Sequence, residues 1–287
     1  MLALPFLAIE IHIDPTMAKF GPFTLAWHGF FTAVGIIAGV VLAIRFGKSR
    51  GLDPEVGQAV ALVGVPSAIV GARLFYVAEH WHAFSGDLPH IVTGITEGGI
   101  TLYGGLIGGV VGGLAYGLYR RLPILPLLDA AAPGMILGQA LGRIGDLING
   151  EHRGTPSDLP WAVRYTQPNT LGDPGLSVHP TAGGYELLGD LVILAILLLV
   201  VARVARRPGW VFFWYALLYA GLRASLSPLR LDEAGALGLA IPQLVGFGVI
   251  AATLLLGLFL ATRRKEPMDL AAVAGADSRR PPVEDAR

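Results

Sequence analysis

The segment from Gly142 to Gly154, GRIGDLINGEHRG, gathers Arg143, Asp146, Asn149, Glu151, His152 and Arg153 in a chain otherwise dominated by long apolar runs. Charged and amide groups are costly at membrane depth unless they are paired, hydrated or holding a polar substrate. Arg143 offers a planar fork of N–H donors suited to phosphate or carboxylate. Glu151 is its natural partner, so the two form either a structural ion pair or part of an anion site. Asn149 and Glu151 add hydrogen-bonding groups where apolar sequence gives way to the long segment 152–180. Gly142, Gly145 and Gly150 imply tight turns or close approach of backbone to a ligand.

Four further residues belong with this cluster. Arg223, in YAGLRASLSP, needs a countercharge, an aqueous cavity or a lipid headgroup. Arg230 follows seven residues later, on the same face if the helix continues, although Pro228 bends or ends a helix; the plain alternative is snorkelling to the interface. His28 follows Trp27 in FTLAWHGF and is either a general base or a hydrogen-bonded structural histidine. His179, in VHPTAGGYE, leads to Tyr185 and Glu186 and is placed on the polar rim of the same cavity. His80, His82 and His90 do not have zinc-site spacing, and no metal is expected.

The elements that position these residues are membrane helices. Of 287 residues, 53% are hydrophobic and only 15% charged, with a mean hydropathy of +0.61, where a soluble domain carries roughly 25% charge. Zero formal net charge provides no basic field for nucleic acid. The absence of cysteine excludes a disulfide, an enzyme thiolate nucleophile and an iron-sulfur site. Residues 1–11 lack the basic region of a cleavable signal, so the first span is expected to direct insertion itself.

Seven apolar segments, about 23–45, 56–78, 98–119, 124–141, 185–204, 210–226 and 236–261, predict an all-α polytopic membrane protein with seven transmembrane helices. The fourth and sixth are short and interrupted, so one is open to a re-entrant or protein-buried reading. Arg and Lys follow spans one, three, five and seven, which predicts the N-terminus outside and the C-terminus in the cytoplasm. Arg143, Arg153, Arg164, Arg223 and Arg230 then fall near the outer side, suggesting an anion site there. Residues 1–265 read as one membrane-embedded domain with an outer polar segment at 143–185, and 266–287 as a disordered cytoplasmic tail. Gly104, Gly108 and Gly112 form a four-residue stripe beside Gly105, Gly109 and Gly113, a packing signal that would hold Tyr103 rigidly. Arg73 lies within span two, and its partner is not apparent.

The chain resembles the prolipoprotein diacylglyceryl transferases of bacterial membranes. Their signature, approximately G-R-x-G-N-x-x-N-x-E-x-x-G, is met by Gly142, Arg143, Gly145, Asn149, Glu151 and Gly154. PFTLAWHG at 22–29, EGG with GGLIGG at 97–109, SDLPW at 157–161, HPT with YE at 179–186 and the Arg223 segment extend the resemblance in order over most of the chain. It implies seven spans, an outward-facing cavity and transfer of the diacylglyceryl group of phosphatidylglycerol to the lipobox cysteine of a precursor protein, releasing glycerol 1-phosphate. No cofactor is implied, the location is the bacterial inner membrane, and a monomer is expected.

On that resemblance, Arg143 and Arg223 hold the phosphodiester, with Arg230, Asp146, Asn149, Gly154 and His179 around the headgroup. Glu151 orients Arg143, and His28 or Tyr103 takes the thiol proton. Departures stand beside the match: His28 replaces the usual Tyr, Tyr103 the usual His, Asp146 the usual Asn and Ser227 the usual Glu, while HPTAGGYE is one residue longer than HPTQLYE. His28 and Tyr103 would be a positional exchange if they share the cavity. A related lipid-dependent transferase with another acceptor, or non-catalytic lipid or anion binding or transport, stays open on the residues alone.

Overall fold

A computed structural model describes residues 8–21, 23–93, 101–151, 154–231, 239 and 241–262. The described chain is mostly helical, with two small sheets. In chain order come strands β1 (Ile9–Ile11), β2 (Thr16–Phe20) and β3 (Phe23–Ala26), then helices α1 (Trp27–Ser49), α2 (Pro54–Glu79), the short α3 (Trp81–Phe84) and α4 (His90–Thr93), α5 (Leu102–Tyr119) and α6 (Ile124–Asn149). Strands β4 (Val163–Tyr165) and β5 (Ser177–Val178) follow. A π-helical turn (Thr181–Glu186) then enters α7 (Leu187–Ile196), a second π-helical stretch (Leu197–Val201) and α8 (Ala202–Val204). The chain continues through α9 (Trp210–Leu226), a 3-10 turn (Ser227–Leu229) and α10 (Ile241–Thr262).

Among the described residues, five helical segments are long and apolar enough to cross a membrane: Trp27–Ser49, Pro54–Glu79, Ile124–Asn149, Thr181–Val204 and Gln243–Thr262. The stretch Ile107–Tyr119 of α5 is apolar but shorter, and α9 has 17 residues. This is a polytopic membrane protein, and the described residues hold five such helices where seven were expected. It is also not purely α-helical, because β1-β4-β5 form one sheet and β2-β3 a hairpin. The 266–287 tail lies outside the described residues.

The described residues fall in two compact units, one drawn from those within 1–43 and 129–263, the other from those within 44–128. In the second, Asp53 caps α2 by accepting the Glu55 N–H at 2.9 Å, and the anticipated glycine stripe forms the seam between α2 and α5. A side chain at Gly108 would strike Ser67 O and Gly71, and one at Gly104 would strike Gly71 O and Phe75. Arg73 is buried, donating to Ile91 O at 2.8 Å and His90 O at 3.0 Å, with its guanidinium over Phe84. Backbone carbonyls and an aromatic face supply its partners.

The first unit holds the polar cluster. Helix α6 buries Asp129, Pro133, Ile136, Ala140 and Arg143 along one face, at helical spacing. The fourth span runs on to Asn149 instead of ending near 141, so Arg143 and Asp146 sit inside a helix. Asp129 accepts the N–H groups of Gly209 and Phe212 at 2.7 and 2.8 Å, tying α6 to the start of α9. Helices α1 and α6 meet through glycine: a Cβ on Gly35 would lie 2.6 Å from Gly138 O, one on Gly39 2.6 Å from Gly134 O, and one on Gly145 2.6 Å from the His28 Cα. The pairs 28/145, 35/138 and 39/134 climb α1 as they descend α6, in steps of seven and four on each. That is an antiparallel seam of two helix faces in fixed register.

This seam predicts that Gly35→Val costs about 1–3 kcal/mol through overpacking and lowers the thermal melting temperature in detergent. Gly248→Ala, on α10 with nothing within 4 Å of the added carbon, is expected to stay within about 1 kcal/mol of wild type.

Candidate functional site

The site is organised by a carboxylate absent from the expected set. Glu186, the last residue of the π-helical turn, is fully buried. Its Oε1 accepts from Arg223 Nη1 at 2.5 Å and from Arg230 Nη1 at 2.9 Å. Arg143 Nη2 lies 2.7 Å from Oε2 as an ion pair without the alignment of a hydrogen bond. Arginines from α6, α9 and the turn after it therefore converge on one acid.

Arg143 also donates Nη1 to Asp146 Oδ2 at 2.7 Å, three residues on along α6. The natural partner expected for Arg143 was Glu151; its carboxylate partners here are Asp146 and Glu186. Helix geometry explains the difference, because Asp146 shares a face with Arg143 whereas the chain turns away at Gly150, where φ is +78°. Glu151 instead accepts from Asn149 Nδ2 at 2.9 Å. Arg230 does not snorkel: its side chain is 1% exposed. Helix α9 ends at Leu226, so Arg230 reaches Glu186 across a 3-10 turn and not from one continuous helical face.

His28, at the start of α1, places Nδ1 2.8 Å from the other oxygen of Asp146 and 3.6 Å from Glu151 Oε2. Its side chain is 40% exposed while that of Asp146 is 3% exposed. These three side chains are close enough together to hold a cation, although Asp146 is already engaged by Arg143. The Tyr103 side chain, His152 and Arg153 lie outside the described residues, as does the proposed His28/Tyr103 exchange.

Beside this cluster, Glu151, Gly154, Tyr165, His179 and Gly183 line a cavity of about 20 Å³, room for roughly one water molecule. His179 Nδ1 is 3.2 Å from the Tyr185 hydroxyl, which accepts from Trp161 Nε1 at 2.9 Å. The Tyr165 hydroxyl donates to Leu147 O at 2.9 Å, and burial raises its pKa. Gly154 packs its backbone on His179 and bridges to Arg230, so a side chain there would strike the His179 main chain. Arg143, Arg223, Arg230, Asp146, Asn149, Glu151 and His28 are thus gathered at or next to one another, with His179 and Gly154 at the adjoining cavity.

Two acids were missed. Glu186 was visible as the acid of HPT with YE leading into an apolar span. Most of HPTAGGYE forms the π-helical turn Thr181–Glu186, whose i→i+5 ring holds one residue more than an α-helical turn. Gly183 there faces Leu147 of α6 closely enough to forbid a side chain. Asp190, one turn further on, is fully buried, with no hydrogen-bond partner for either oxygen among the described residues. It lies within the fields of Arg143, Arg223 and Glu186; its signal was a lone acid in an otherwise apolar span.

Comparison with known proteins adds a family. The family described as prolipoprotein diacylglyceryl transferase matches residues 15–259. A phosphatidylglycerol-prolipoprotein diacylglyceryl transferase of Gloeobacter violaceus is 36% identical over 87% of this chain and 93% of its own length. The enzymes of that name from Finegoldia magna and Nostoc sp. are 34% and 33% identical, covering 81% and 93% of this chain and 90% and 96% of their own.

Removing Glu186 leaves three buried guanidinium groups without their shared acid. Glu186→Ala is expected to destabilise by about 3–5 kcal/mol, read as a large fall in melting temperature in detergent. Glu186→Gln, which keeps an acceptor, should fall by less.

Proposed function

The chain belongs to the prolipoprotein diacylglyceryl transferase family, and from that premise we propose that it transfers the diacylglyceryl group of phosphatidylglycerol to the lipobox cysteine of a precursor protein at the bacterial inner membrane. The convergence of Arg143, Arg223 and Arg230 carries this reading for the site. Planar N–H forks concentrated in a low-dielectric setting suit a phosphodiester and the charge that grows on its departing oxygen.

Arg143 is held from two sides, by Asp146 and by Glu186, and so presents a fixed donor geometry. Arg223 spends only Nη1 on Glu186 among the described residues and keeps 14% of its side chain exposed, leaving donors for the headgroup. Glu186 is the internal counter-ion that makes three cations tolerable before substrate arrives. Asn149 and Glu151 shape the headgroup rim, and Gly154 and His179 support it. The reaction is displacement at the glycerol carbon: a carbon-sulfur bond forms, the carbon-oxygen bond breaks, and the electron pair leaves with glycerol 1-phosphate.

The seven-span arrangement, with the N-terminus outside and residues 1–265 as one membrane domain, belongs to the same proposal. The apolar α5 and the 17-residue α9 supply the sixth and seventh crossings, and the alternation of basic loops supplies the orientation.

The test is transfer measured on membranes or purified enzyme with phosphatidylglycerol and a lipobox peptide, followed by the peptide's gain in mass. Wild type is expected to yield the diacylglyceryl thioether. Arg143→Ala should lose roughly 10²-fold or more while still inserting, and activity near wild type would remove Arg143 from its role.

A further inference from the structure

We propose that His28 is the group that accepts the thiol proton, and that Asp146 is the residue that positions it. This rests on the transferase reading and specifies its proton transfer. The two residues come from elements 118 positions apart and meet at 2.8 Å. A buried carboxylate on one helix and a part-exposed histidine on another make a hydrogen-bonded pair that either residue alone could not make.

The geometry suits a proton acceptor. Asp146 is buried, and Arg143 holds its Oδ2, so Oδ1 has a fixed direction. A carboxylate accepts but does not donate; bonded to Nδ1, it places the ring proton there and leaves the Nε2 lone pair to receive another. The ring is 40% exposed, whereas its partner is 3% exposed. Glu151, 3.6 Å from Nδ1, adds a second negative charge, and Arg143 behind Asp146 opposes both. The backbone at His28 abuts Gly145, the neighbour of Asp146, so helix register holds the pair together.

The step balances. The lipobox S–H proton passes to Nε2, sulfur attacks the glycerol carbon, and the ester oxygen leaves with its electron pair as glycerol phosphate. The imidazolium then returns its proton to that phosphate or to water. A free cysteine is only a few per cent thiolate near neutral pH, so a proton acceptor beside the thiol raises the share of reactive sulfur.

The experiment measures transfer to a lipobox peptide from pH 6 to 9 for wild type, His28→Gln and Asp146→Asn, with phosphatidylglycerol KM and thermal melting recorded for each. Wild type should level off across the upper part of this range. His28→Gln should fall roughly 10²-fold at pH 7, with KM changed less than threefold, and rise about tenfold per pH unit as solvent supplies the thiolate. Added imidazole should restore part of the rate in His28→Gly. Asp146→Asn, whose amide can donate to Nδ1 and impose the wrong tautomer, should lower kcat more than it raises KM. A His28→Gln rate within threefold of wild type and with the same pH profile overturns the proposal, as does an effect confined to KM or melting. If His28→Gln fails to fold, Asp146→Asn and imidazole rescue decide by the same criteria. Absence of transfer by folded wild type would instead defeat the transferase reading.

Discussion

One buried carboxylate determines how the polar interior is assembled. Glu186 receives Arg143, Arg223 and Arg230, and none of these charges would be tolerable alone away from water. Each therefore constrains the element that carries it. Arg143 must face inward from α6, Arg223 must sit near the end of α9, and the turn after α9 must bring Arg230 back. The attraction does not make the cluster intrinsically stabilising, since desolvation offsets much of it. It makes alternative packings worse, because each would strand a cation.

This constraint explains why the entry to α7 is π-helical. The apolar face of the helix and the Glu186 carboxylate have separate directional requirements, and an extra residue in a plain α-helix would rotate one relative to the other by about 100°. Confining it to the turn Thr181–Glu186 satisfies both. Glycine at 183 then lets the widened turn lie against Leu147. Loop residues, helix phase and counter-ion are one solution to one packing problem.

Much of this was legible in residue type. Cations inside apolar segments are expensive enough to mark themselves, so Arg143 and Arg223 stood out, as did the α5 glycine stripe. Their partners were harder to read, because a charge pair leaves no trace of which distant acid it will meet. Proximity in sequence favoured Glu151 for Arg143; helical phase and a left-handed turn at Gly150 gave Asp146 and Glu186 instead. Pro228 does stop α9, yet Arg230 still arrives by a route that periodicity does not encode. The small sheets escaped notice because strands of two to five residues are shorter than the window in which alternation can be recognised. The pairing of β1 with β4 also joins segments some 150 residues apart.

The glycine seam of α1 and α6 shows how a backbone arrangement becomes a chemical one. Gly35 and Gly39 meet Gly138 and Gly134, and seven residues toward the other end of the seam His28 meets Gly145. The close approach is made of main-chain atoms, which have few ways to adjust, so sliding one helix along the other would separate the His28 ring from Asp146 before any side chain could compensate. Asp146 is in turn held by Arg143, and Arg143 by Glu186. The exposed imidazole is thus connected through two buried side chains, Asp146 and Arg143, to the acid at the centre of the unit. A change at any of these positions should be judged by how it shifts the others, since contacts in one network do not contribute independently.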